Sequence, residues 1–91
     1  MSKETKTRPV KTLRDGAIKA AIWKNESENG PFHSITFART FKDGEGNLQD
    51  TDSYSGVELL RLSRLAGKAY DAAAKLTRLA RALDEDEEAE A

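Results

Sequence analysis

The sequence predicts an α+β domain: an antiparallel β-meander of three or four strands, in the order β-β-β-β-α, ending in one long C-terminal helix and assembled as a dimer. Three observations carry this reading. Period-two apolar alternation runs through residues 17–23 and again through 32–42. Clusters of Gly, Asn and Asp punctuate the chain between these stretches. From Ser55 to Leu83 no proline interrupts a run dominated by Ala, Leu, Lys and Arg, all good helix formers.

The elements follow in order. Pro9 to Arg14 reads as a short first strand, closed by a turn at Asp15-Gly16. In the next strand Ile18, Ala20 and Ile22 form an apolar face, opposite Lys19 and Trp23. Asn25 to Gly30 reads as a polar connection that Pro31 ends. Phe32 to Lys42 is then a long strand, with Ile35, Phe37 and Phe41 on one side and Ser34, Thr36, Ala38 and Thr40 on the other. Arg39 breaks the apolar parity, which predicts a bulge or a sheet edge. Asp43-Gly44-Glu45-Gly46-Asn47 is a hairpin turn rich in residues that tolerate positive φ, and Leu48 to Tyr54 is a weaker last strand.

Ser55-Gly56-Val57-Glu58 is a capping box, with Tyr54 and Leu59 spaced for a hydrophobic staple. The helix it opens, about 28 residues, would be roughly 42 Å long, more than a small sheet is expected to cover. Leu62, Ala69, Leu76 and Leu83 recur every seven residues, and Leu65, Ala72 and Leu79 follow three after each of the first three. This seam of seven residues is the expected dimer interface.

Ninety-one residues allow one domain, with little core to spare. Residues 10–83 are expected to hold it, between a flexible basic leader at 1–9 and a disordered acidic tail at 84–91. There is no cysteine and one histidine, which excludes disulfides and thiolate metal sites and points to self-association as the further source of stability. Met1 to Lys11 lacks the apolar region of a secretory signal, and no stretch approaches the roughly 20 apolar residues of a membrane span. A cytoplasmic location is the expectation. The net charge of −1 conceals segregation. Six acids lie in the tail, leaving 15 basic residues against 10 acidic ones in the body. A basic body with an acidic end suits a nucleic-acid binder.

No catalytic constellation assembles, and no metal or cofactor is expected. His33 and Ser34 are adjacent on a strand and point to opposite faces. Asp43, Glu45 and Asn47 open like a calcium loop, but Leu48 stands at the glycine position and Tyr54 at the bidentate Glu. Asp50 and Asp52 read as charges guarding an edge strand. A single nucleic-acid strand, by contrast, needs only cations along its backbone and flat side chains under its bases. Lys11, Arg14, Lys19, Trp23, Arg39, Phe41 and Lys42 are the candidate contacts.

This order of elements, with a strand ending in Arg39-Thr40-Phe41-Lys42 before the acidic-glycine turn and a short strand passing directly into a capped helix, resembles the positive-cofactor-four family of transcriptional coactivators over about Val10 to Ala82. It is also similar in outline to the whirly and Pur-type single-strand binders, and to a set of short bacterial proteins. The resemblance implies a homodimer that binds single-stranded DNA across concave sheets, with helices at the interface. Lys19, Trp23, Arg39, Phe41 and Lys42 then fall on binding strands. Asp50 and Asp52 depart from the basic character of that family's last strand. The expected function is therefore a single-stranded nucleic-acid-binding homodimer accessory to transcription, replication or recombination. The alternative is a dimeric protein-interaction or adaptor module, its acidic tail open to a protein partner.

Overall fold

The computed structural model describes residues 8–90, with side chains for residues 8–83; residues 1–7 of the expected leader and Ala91 lie outside the described residues. Four strands, β1 (Lys11–Asp15), β2 (Ile18–Ser27), β3 (Gly30–Lys42) and β4 (Leu48–Thr51), form one antiparallel sheet in chain order. A 3₁₀ turn at Gly56–Glu58 leads into helix α1 (Leu59–Glu90), which lies on one face of the sheet. The predicted α+β meander-plus-helix architecture is the observed one, with all four strands present.

Turn chemistry sets the register. Asp15 pairs with Ile18, so the two-residue loop is Gly16-Ala17, one position later than expected. Gly16 takes φ of 65°, the positive value that a tight hairpin turn of the II′ kind requires at its first position. The β3–β4 turn is built around Asp43, whose Oδ1 accepts the N–H groups of Glu45 and Asn47, each at 2.9 Å. Gln49 donates to its Oδ2 at 3.1 Å. Gly46, at φ 88°, supplies the left-handed residue that closes the loop.

The β2–β3 hairpin is longer than the sequence suggested. Pairing continues from Ile18↔Arg39 to Ser27↔Gly30, so most of the polar stretch expected as a connection is strand. Asn25 stays in the ladder because its amide reaches the Ser34 hydroxyl at 3.0 Å. Neither a bulge nor a sheet edge, the two alternatives expected at Arg39, is found there, since Arg39 pairs in step with Ile18 on one side and Thr51 on the other. It tolerates a position on the helix-facing side because it sits at the corner where sheet meets helix. There it donates to the Ser53 carbonyl at 3.0 Å and forms an ion pair with Glu58 at 3.2 Å.

The core is small. Ile18, Ala20 and Ile22 of β2 and Leu65, Ala69 and Ala73 of α1 are buried, with Leu13, Ile35, Phe37, Tyr54 and Leu62 packed around them. At the helix start Glu58 Oε1 accepts the Ser55 N–H at 2.9 Å, completing the carboxylate arm of the predicted capping box. Tyr54 turns into the core, whereas Leu59, its expected staple partner, is 53% exposed.

Two expectations about the helix change. The heptad seam is not one interface: Leu65 and Ala69 are 2% and 1% exposed beneath the protein's own sheet, and Leu62 packs beside them. Ala72 and Leu76 are half-buried, and only Leu79 and Leu83 stand out, at 53% and 64%. The reason is the long hairpin. The 13 residues of β3 extend about 43 Å, enough to follow α1 along most of its length. Near the far end Thr77 Oγ1 meets His33 Nδ1 at 2.7 Å and Arg81 donates to the Pro31 carbonyl at 3.0 Å. The helix also runs to Glu90, through the segment expected to be a disordered tail.

Candidate nucleic-acid interface

One helix covers one face of the sheet, and strand parity decides what the other face displays. The buried Ile18, Ala20 and Ile22 point to α1. Their neighbours Lys19, Ala21, Trp23 and Asn25 therefore point away. Through the register the same bare face takes Thr12 and Arg14 from β1, the even-numbered residues from Phe32 to Lys42 from β3, and Leu48 and Asp50 from β4.

This face has two ends. At one, Trp23 on β2 lies opposite Ser34, and Phe32 is two pairs further along the same ladder, on the same face and 41% exposed. The Trp23 ring is held in place by its Nε1–H, which donates to Thr36 Oγ1 at 2.9 Å. At the other end stand Arg14, paired across the ladder with Lys19, and Lys42 at the mouth of the β3–β4 turn. Between the ends the floor is small: Ala21, Ser34, Thr36, Ala38 and Thr40.

One acid intrudes. Asp50 Oδ2 lies 2.7 Å from Lys19 Nζ, and Thr40 Oγ1 donates to Asp50 Oδ1 at 2.8 Å. The bond from Lys19, then that from Thr40, holds the Asp50 carboxyl below the usual carboxylate range. Lys19 thus already has a counter-charge.

The seven candidate contacts divide. Arg14, Lys19, Trp23 and Lys42 share the bare face. Lys11, Arg39 and Phe41 have the parity of Leu13 and Phe37 and belong to the helix side. Arg39 is committed to Ser53 and Glu58, and its guanidinium stands 5.8 Å from the centroid of the Phe41 ring. Phe32, at the start of β3, joins the face with the parity of Ser34 and Thr36.

His33 is half-buried against the helix, not on the bare face. Burial first, then the nearby Lys24 charge, lowers its pKa from the usual histidine value. Among the described residues, no group of three or more His, Cys, Asp or Glu side chains is placed to hold a metal ion, and no helix is long and apolar enough to cross a membrane. Comparison of the chain with protein-family models, with curated proteins and with solved structures gave no match.

Proposed function

We propose that the bare face of the sheet binds single-stranded nucleic acid, as a binding module without catalytic activity. The observation that carries this reading is the co-facial set of Trp23 and Phe32 with Arg14, Lys19 and Lys42, on the side of the sheet that α1 leaves open. A base can stack on a pinned aromatic ring at roughly 1–3 kcal/mol, and the cationic end then meets the backbone phosphates. The small floor between them leaves room for a strand to lie across the sheet. Reading of this kind is tolerant of sequence, because every base presents a flat face and the cations meet only phosphate.

The test uses Trp23, the protein's single tryptophan. Oligo-dT is titrated into the full chain at two salt concentrations while Trp23 fluorescence and oligonucleotide anisotropy are followed. Quenching with an affinity that falls as salt rises is expected. Absence of both signals at tens of micromolar protein would overturn the reading.

A further inference from the structure

We infer that the uncovered edge of β3 is the site where a second copy of this chain pairs, joining two sheets into one across a two-fold axis at Ile35. β4 covers β3 only from Arg39 to Lys42. The Thr40 N–H donates to Ala17 on the β2 side, and the Asp43 N–H donates to Asn47 on the β4 side. By the alternation of an antiparallel ladder, the N–H and C=O groups of His33, Ile35 and Phe37 point outward, where no strand of the described residues lies. Pro31 ends this open stretch, since it has no N–H and its carbonyl accepts from Arg81. Past Thr51 the chain leaves the sheet, and a shallow recess lined by Phe37, Ala38, Asp50, Thr51 and Asp52 marks the start of the vacant lane.

An edge of this kind is a template for another strand, and proteins normally guard it with charge, a bulge or brevity. The other edges here are guarded. β1 is five residues long and carries Lys11, Arg14 and Asp15; the part of β2 beyond it carries Lys24 and Glu26; β4 has four residues and Asp50. Residues 31–38 of β3, Pro-Phe-His-Ser-Ile-Thr-Phe-Ala, carry no acid, lysine or arginine and pair without a bulge.

The occupant is a second copy because the edge is complementary to itself. In antiparallel pairing centred on Ile35, Ile35 faces Ile35, and His33 faces Phe37 in both directions. The outward groups of His33, Ile35 and Phe37 then all meet outward partners; Pro31 falls opposite Arg39 of the second copy, which β4 already holds, so the pairing ends there and the hairpin tip has to turn out of the shared sheet. Shifting the centre by one residue sets His33 or Phe37 against Pro31 or Arg39. On the bare face the same register sets Ser34 beside Thr36, with no like charges opposed. This pairing does not depend on the nucleic-acid reading, and it replaces the helix seam as the expected dimer interface.

Light scattering on the full chain tests the mass, and engineered cysteines test the register, since the chain has no native thiol. Across the proposed axis Ser34 and Thr36 form a pair without mutual backbone bonds, about 4.5 Å apart between Cα atoms, within disulfide reach. Like positions, 34 with 34 or 36 with 36, are diagonal at about 7–8 Å and beyond it. An equimolar mixture of S34C and T36C, allowed to exchange subunits and then oxidised, should cross-link at least about tenfold more than either variant alone. The double variant S34K/T36K sets lysines against each other across the axis; within its own sheet the two positions face Trp23 and Ala21, and only the exposed bonds from the Asn25 amide and the Trp23 ring are given up. It should stay folded by circular dichroism and return the monomer mass. A wild-type mass of 10 kDa at hundreds of micromolar, equal cross-linking of the single variants, a dimer that survives S34K/T36K, or preferential cross-linking through L79C on the helix would each overturn the inference.

Discussion

Lys19 and Asp50, on strands that are not neighbours, meet at 2.7 Å across the bare face of the sheet. The pair ties β2 to β4 over the small side chains of β3, and it places an acid where a phosphate would otherwise bind Lys19. Because Lys19 and Thr40 hold the Asp50 carboxyl below its ordinary range, the acid stays charged throughout neutral and mildly acidic solution. Replacing it should therefore release a cation. D50N is expected to tighten oligo-dT binding by about fivefold and to steepen the dependence of log affinity on log salt by roughly one. Trp23 fluorescence titrations at several salt concentrations measure both. Unchanged affinity and slope would mean that Lys19 does not face the ligand.

Arg39 makes the opposite prediction. It lies in the most basic stretch of β3, yet its guanidinium serves Ser53 and Glu58, binding the last strand and the helix start to the sheet. R39Q should lower the thermal midpoint by a few degrees while changing oligo-dT affinity less than about twofold. A large loss of affinity with unchanged melting would reverse that assignment.

These two arginine and lysine cases mark how far the sequence could be read. Alternation separated Ile18 and Ile22 from Lys19 and Trp23, and the capping residues located the helix start, because both are local patterns. The charge pairs were hidden. Lys19 meets Asp50, and Arg39 meets Glu58, only once the registers of separate hairpins are known. The polar run from Asn25 to Ser27 reads as a connection because its residues favour turns. It becomes strand because each residue has a partner on β3. That extension also bears on the helix: a longer hairpin follows more of it, and of the leucines that suited a dimer seam Leu65 is buried, Leu62 and Leu76 are half-buried, and Leu79 and Leu83 stay exposed.

His33 ties the far end of the sheet to α1 through Thr77, and burial lowers its pKa. The unfolded chain therefore takes up a proton at a higher pH than the folded chain does. The stability contributed by the neutral ring is complete above pH 6.5 and is lost as pH falls from there through the lower folded value. Urea midpoints measured from pH 8 to pH 5 should fall across this window, and H33Q should flatten that part of the profile. A midpoint that rises on acidification would contradict the assignment.

Tyr54 has its ring among the core side chains and a buried hydroxyl without a hydrogen-bond partner among the described residues. A buried hydroxyl left unpaired costs about 1–3 kcal/mol relative to water, so removing it should help. Y54F is expected to gain about 1 kcal/mol in urea denaturation with an unchanged slope. A loss of similar size would show that the hydroxyl has a partner, for instance a bound water.

The helix heptads offer a direct comparison of two leucines in equivalent chemical settings. Leu65 is 2% exposed between the sheet and α1, whereas Leu79 is 53% exposed two heptads later on the same seam. If burial under the protein's own sheet decides, L65A should cost about 3 kcal/mol or prevent folding, because the small core cannot refill the space. L79A should cost less than about 0.5 kcal/mol, and its midpoint should not vary with protein concentration any more than that of the wild type. A helix-to-helix dimer predicts otherwise. There Leu79 would be covered by a partner, and its truncation would lower stability most at low protein concentration. Denaturation of both variants at two concentrations tenfold apart separates the two arrangements.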